Sequence, residues 1–254
     1  MQQKAQVVIG TTKHGVLQAA AQAGVDPGEI KWGSRGYAGS GGKVFVVWGI
    51  SPSPLARRAI NAILDLSLGQ SSATPRIFYV CYGGTHSSVV AAMLHLGLVS
   101  VQDIQVHGPE VLSWLPYFDR RTTGEIGLPV LLGHDVYGSE VYALGTGWLG
   151  RRLELCLCDL VEVACPGARA CFCSVRGVLD FRARIGGFLS RRVHLVQPGR
   201  KLVSRSLANK AQLLYQASRA CLDLSSKWKD NGNHSEGEVV WIDGSTQRGT
   251  GVPG

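Results

Sequence analysis

Arg76-Ile77-Phe78-Tyr79-Val80-Cys81-Tyr82-Gly83-Gly84-Thr85-His86-Ser87-Ser88-Val89-Val90-Ala91-Ala92 reads as a buried strand, a tight polar loop and the first turns of a helix. The apolar run from Ile77 to Val80 suits a strand covered on both faces, and the two glycines free the backbone to turn sharply. Ser87 or Ser88 can cap the helix that follows. A strand, a glycine loop and a helix N-terminus together present backbone N–H groups and the positive end of a helix dipole, a seat for a phosphate or carboxylate.

Three further segments share this grammar. Gln6 to Ile9 leads through Gly10 to Gly15 into an alanine-rich helix from Val16 to Ala23 that Gly24 ends; Val44 to Trp48 leads through Ser51-Pro52-Ser53-Pro54 into a helix from Leu55 to Leu68; Val141 to Leu144 leads into a helix from about Leu149 to Val161. Pro129 to His134, Asp135 to Ser139 and Glu140 to Leu144 read as a β-hairpin with Gly138 in its turn. The expected fold is therefore α/β: a mixed, mainly parallel sheet flanked by helices, with one β-hairpin. Arg182 to Arg192 reads as a basic amphipathic helix, and Ser206 to Leu224 as one longer helix.

Residues 1–70 form an N-terminal α/β segment. Superposing His14 on His86 also aligns Val8 with Val80 and Ala19-Ala20 with Ala91-Ala92, which fits either a degenerate repeat or the general likeness of any two strand–loop–helix units. The polar stretch Gln70 to Thr74 reads either as a linker between this segment and a main domain over 75–225 or as a surface loop. Residues 226–254 read as a flexible tail, in which Val239-Val240-Trp241-Ile242 is either an edge strand or a partner-docking burst.

The 254-residue chain is 45% hydrophobic and 17% charged, a globular composition with core enough to need no staples. No apolar run approaches the roughly 20 residues of a membrane span, and the first residues lack the apolar stretch of a secretory signal. A cytoplasmic protein without membrane contact is expected, its seven cysteines reduced. The net charge of +8 comes largely from the doublets Arg57-Arg58, Arg120-Arg121, Arg151-Arg152 and Arg191-Arg192, which favour an anionic partner: phosphate, nucleotide or nucleic acid.

The loop from Cys81 to Ser88 admits several readings. As an anion cradle, Gly83, Gly84 and Thr85 supply N–H groups, Ser87 and Ser88 supply hydroxyls, and His86 supplies a titratable donor. Its outline is also similar to the low-molecular-weight phosphatase loop, where a nucleophilic Cys is followed after five residues by Arg and then Ser. Here Ser87 stands at the Arg position, so an Arg from elsewhere, Arg120, Arg121, Arg191 or Arg192, is required to clamp a phosphoryl group. In that case Cys81 is the nucleophile, and His86 and the helix N-terminus lower its pKa. Cys81 could instead be a redox-sensing thiol. The packing alternative is a small buried residue at the end of a core strand, with glycines that merely turn the chain.

Cys156-Leu157-Cys158, Cys165 and Cys171-Phe172-Cys173 lie among apolar neighbours without a two-residue spacer, and read as core cysteines rather than a metal site. His14, His95, His107, His134 and His194 show no ligand spacing, Asp119-Arg120-Arg121 reads as a solvated or substrate-facing loop, and no cofactor is identified.

Tyr79 to Gly97, with Cys-Tyr-Gly-Gly-Thr-His-Ser-Ser, Val-Val-Ala-Ala and His95-Leu96-Gly97, resembles the family of domain of unknown function 3189, found in Firmicutes and notably in endospore formers. Leu115 to Asp119, Gly133 to Tyr142 and Ile185 to Arg192 follow in the same order, so the resemblance spans roughly residues 76–215. Val136 stands where the family has a second acidic residue, and Ser139 where it has Asn. The resemblance implies a lineage, with sporulation as its setting, and no activity. The expected function is regulatory recognition of a phosphorylated small molecule or nucleotide. The alternatives are a Cys81-dependent phosphoester hydrolase or phosphotransferase, and a nucleic-acid or protein-binding module using the arginine doublets.

Overall fold

A computed structural model describes residues 5–69, 74–178, 196–231 and 237–245. The elements run β1 (Gln6–Gly10), α1 (Lys13–Gln22), β2 (Lys31–Trp32), β3 (Ala38–Gly41), β4 (Val44–Trp48), α2 (Pro54–Gly69), β5 (Arg76–Cys81), α3 (Ser87–His95), α4 (Val101–His107), β6 (Val130–His134), β7 (Glu140–Gly145), α5 (Gly150–Ala164), β8 (Arg169–Ser174), α6 (Val196–Asn209), α7 (Ala211–Asp230) and β9 (Glu238–Asp243).

The fold is α/β, but the strands build two mixed sheets rather than one mainly parallel sheet. Their orders are β1-β4-β3-β2 and β6-β7-β5-β8-β9. Four of the seven strand pairings among the described residues are parallel; β2 with β3, β3 with β4 and the hairpin β6 with β7 are antiparallel. The reason is local: β3 and β4 are joined across Gly42, whose φ of +60° permits a reversal that no crossover helix interrupts.

Strand β5 is central, and all six of its residues are buried. Ile77, Tyr79 and Cys81 face a core shared with α3 and α7, while Phe78 and Val80 face one shared with α2 and α5. Phe78 lies in register between Tyr142 of β7 and Phe172 of β8, with ring centroids 5.0 and 4.6 Å away. Each such buried ring contributes about 2–3 kcal/mol of hydrophobic stabilisation, so this ladder fastens the three central strands.

Helix α5 serves both sheets. Its inner residues Leu153, Leu157 and Leu160 share a core with Phe45, Ile60 and Phe78. Its buried Asp159 accepts the N–H groups of Arg35 (2.9 Å) and Tyr37 (2.6 Å) from the loop before β3. Burial raises the Asp159 carboxyl, against the opposing pull of those N–H groups and of the Arg35 guanidinium.

Two expectations change at the C-terminal end. The helix expected over Ser206 to Leu224 is two, broken at Lys210. Within the stretch expected as a tail, residues 226–230 complete α7, and Val239 to Ile242 pair in parallel with β8 as the edge strand. The basic helix from Arg182 to Arg192 and most of the 70–74 linker lie outside the described residues. Among the described residues, no helix is long and apolar enough to cross a membrane.

The chain leaves β5 through α3 to reach β7 on one side, then leaves β7 through α5 to reach β8 on the other, with the two helices on opposite faces. The carboxyl end of β5 is therefore a point where the direction of winding reverses, the place where open α/β sheets form their crevices. Cys81 stands at that end.

Candidate functional site

Five residues, Tyr82 to His86, connect β5 to α3. The loop is pinned to the end of β7: Cys81 O accepts the Thr146 N–H at 3.0 Å and Tyr82 O accepts the Gly147 N–H at 2.9 Å. Gly84 has φ +68°, and a Cβ there would stand 2.6 Å from Gly145 N and 2.8 Å from Arg121 Nη1. Conformation and space both demand glycine at this position. The β1–α1 connection, Thr11-Thr12, has neither the length nor the glycines of this loop, and His14 lies exposed in α1. The two strand–loop–helix units are alike in order and unlike in construction.

The loop wraps the Cys81 thiol. Gly84 N–H donates to Sγ at 3.1 Å, and Ser88 Oγ lies 3.1 Å from it. Burial alone would raise this thiol. The Ser88 hydroxyl and the N–H groups of Ser88, Gly84 and Thr85 outweigh it and hold Cys81 below the ordinary cysteine value. In α5 burial has its way, and the thiols of Cys156 and Cys158 are pushed well up, whereas hydrogen bonds from Cys171, Cys173 and Tyr79 lower Cys221. All seven cysteines are free thiols. Cys156 and Cys158 lie in one core and Cys171 and Cys173 in the other, on the opposite side of the sheet. Among the described residues, no three His, Cys, Asp or Glu side chains are grouped to hold a metal.

A second segment, Tyr117 to Arg121, closes over the loop. Asp119 N–H donates to Thr85 O at 3.1 Å, and Thr85 Oγ1 donates to Tyr117 O at 3.3 Å. Tyr117 and Asp119 both have positive φ, 65° and 53°, strain that the packing must hold in place. Asp119 Oδ1 lies 3.0 Å from His86 Nε2, whose ring stands edge-on to Phe118.

From the same segment comes the arginine that the loop itself lacks. Arg121 is 7% exposed; its Nη2 donates to the carbonyls of Glu125 (2.7 Å) and Leu128 (2.8 Å), and its Nη1 lies 3.5 Å from Gly84 O. Burial lowers its pKa, opposed by Glu125 and by the nearby Cys81, but a guanidinium keeps its charge at any ordinary pH. Of the four arginines considered from sequence, the structure brings Arg121 to the loop and leaves Arg120 exposed; Arg191 and Arg192 lie outside the described residues.

The remaining predicted residues divide. Gly84, Thr85 and Ser88 converge on Sγ; Gly83 packs against Gly145; Ser87 is fully buried, its hydroxyl without a hydrogen-bond partner. His86, expected to activate Cys81, has its Nε2 3.0 Å from Asp119 Oδ1, and it is not among the groups that lower the Cys81 thiol.

Sequence reasoning missed two features. His95 joins a buried relay, with Tyr79 Oη 2.8 Å from Nδ1 and Asp135 Oδ2 3.0 Å from Nε2. Thr146, Glu154 and Arg176 form a polar cluster beside the loop, in which Arg176 Nη1 donates to Thr146 Oγ1 at 2.9 Å and the guanidinium lies 5.7 Å from the Tyr82 ring. The i, i+40 spacing of His95 and Asp135 leaves no local signal; the Asp135-to-Ser139 turn alone was visible.

No curated protein and no solved structure matches the chain. The sequence model of one family, described as a protein of unknown function (DUF3189), matches residues 76–220, which take in the thiol loop, the Tyr117–Arg121 segment and the hairpin, and the chain belongs to that family.

Proposed function

We propose that the Cys81–Ser88 loop binds a phosphoryl group and that Cys81 attacks it, making the protein a cytosolic cysteine-dependent phosphoester hydrolase or phosphotransferase. One observation carries this reading: a buried thiol held below its ordinary pKa by N–H and hydroxyl donors, with the Arg121 guanidinium alongside. Donors that stabilise a thiolate also stabilise the oxygens of a phosphoryl group brought up to it.

The Cys81 sulfur attacks phosphorus; the S–P bond forms as the P–O bond to the leaving group breaks, and the departing oxygen takes a proton from His86, oriented by Asp119. Water, giving its proton back to His86, then cleaves the S–P bond and releases phosphate. A second acceptor in place of water gives the transferase.

The burial of Cys81, 4% exposed, favours a second reading in which the loop holds an anion without chemistry. Turnover of p-nitrophenyl phosphate separates the two. The enzyme reading expects turnover that Cys81→Ser abolishes and a phosphorylated Cys81 trapped on acid quench. Phosphate binding without turnover, retained in Cys81→Ser, supports the cradle and overturns the enzyme. Iodoacetamide labelling supplies an independent check: the rate for Cys81 should reach half its plateau at a lower pH than an ordinary thiol does, and Ser88→Ala should move that midpoint upward.

A further inference from the structure

A cleft of about 640 Å³ opens between the two sheets, beside the thiol loop but lined by other residues. Its lining includes Thr11, Ser51, Trp148, Arg151, Arg152 and Arg176, and no Asp or Glu among the described residues. Thr11 and Ser51 follow β1 and β4, so the cleft lies at the carboxyl ends of a parallel strand pair. Its size falls within the roughly 300–1,000 Å³ of small-molecule sites.

The charges in this cleft are placed against the usual preference. Arg151 and Arg152 occupy the first turn of α5, where the helix dipole disfavours cations; that turn contains no acidic residue and no side chain caps it. Arg151 stacks on the Trp241 ring at 4.5 Å and Arg152 is exposed, neither paired with a carboxylate among the described residues, while Arg176 lies 3.9 Å from the buried Glu154 carboxylate. Gly150 has φ +58°, and a Cβ there would stand 3.3 Å from Arg176 Nη2, so backbone and guanidinium meet closely at the cleft wall. An anion bound here would relieve the repulsion between the arginines and satisfy the helix end at once. Trp148, 62% exposed on the same lining, supplies an aromatic platform beside the cations.

We infer that this cleft is a second binding site, for a nucleoside diphosphate or a compound of the same chemistry: phosphates on Arg151, Arg152 and Arg176, with an aromatic ring stacked on Trp148. None of its lining residues belongs to the Cys81–Ser88 loop, so it stands whether or not Cys81 is a nucleophile.

Calorimetric titration of the full chain with ADP, pyrophosphate and adenosine tests it. ADP should bind, pyrophosphate more weakly, and adenosine weakest. Arg152→Ala, an exposed change whose fold is checked by thermal unfolding, should weaken ADP and pyrophosphate alike by roughly tenfold or more, the loss of one charge-assisted hydrogen bond. Trp148→Leu should weaken ADP and leave pyrophosphate unchanged, and Cys81→Ser should leave ADP affinity as in wild type. Absence of ADP binding at millimolar concentration, or affinity indifferent to Arg152→Ala, overturns the inference. So does loss of binding in Cys81→Ser, which would put the ligand at the thiol loop. A single-stranded oligonucleotide that binds while ADP does not would overturn it too, and make the arginines a nucleic-acid surface.

Discussion

Helix α3 carries a histidine–aspartate pair at each end, and the two have the same ring-to-carboxylate distance of 3.0 Å. At the N-terminal end, His86 and Asp119 have side chains 15% and 16% exposed; at the C-terminal end, His95 and Asp135 have none. The buried pair is saturated. His95 holds Tyr79 on its other nitrogen, and Asp135 accepts the N–H groups of Tyr137 and Ser139, both at 2.9 Å, while Ser139 meets Ser225 of α7. Burial would raise the Asp135 carboxyl, but hydrogen bonds from His95, Ser225 and Ser139 hold it below the usual aspartate value. The half-open pair instead rests on a loop with two positive φ angles and leaves the second His86 nitrogen without a protein partner among the described residues. Pair geometry is thus no guide to surroundings: full satisfaction makes a clamp between helix and hairpin, and partial satisfaction leaves one ring nitrogen open.

The largest expected effect separates the pairs by stability. His95→Ala strands a buried carboxylate and should cost about 3–5 kcal/mol in urea unfolding, whereas His86→Ala should cost about 1 kcal/mol or less. Equal losses would erase the distinction. Next come the glycines flanking the helix, which share φ +68°: Gly84 has Gly145 N 2.6 Å from its would-be Cβ, and Gly97 has nothing within 4 Å. Gly97→Ala should cost about 1 kcal/mol for its backbone conformation alone, and Gly84→Ala about 1–3 kcal/mol more because the loop must move. The smallest effect is one of pH. Since the folded Asp135 pKa is depressed, its stabilisation is fully present above about pH 4 and is lost as pH falls through that lower value. Asp135→Asn should flatten the acid limb of stability against pH; an unchanged limb would mean that another carboxylate governs it.

Much of the fold was legible because its signals are local. The apolar run ending at Cys81, the Gly83-Gly84 turn, proline in the first turn of α2 and Gly138 in the hairpin each act within a few residues, and each stands where it was read. The split into two sheets was not legible, because strand order depends on which edges meet after the helices have docked. At the site, the sequence pointed to the loop and to the need for an outside arginine. It paired His86 with Cys81 by their closeness along the chain and gave no sign of Asp119, which lies 33 positions further on and meets the ring only in the folded chain.

By itself, then, the sequence determined a strand, a glycine loop and a helix N-terminus around Cys81, since those depend on backbone freedom and short-range pattern. Only the tertiary structure decided that Arg121 comes up against Gly84 of the loop, that Asp119 takes His86, that Asp135 takes His95, and that three arginines line a cleft between the sheets. Each of those pairings joins residues tens of positions apart, and its energy arises from burial and mutual approach that exist only once the sheets and helices have packed.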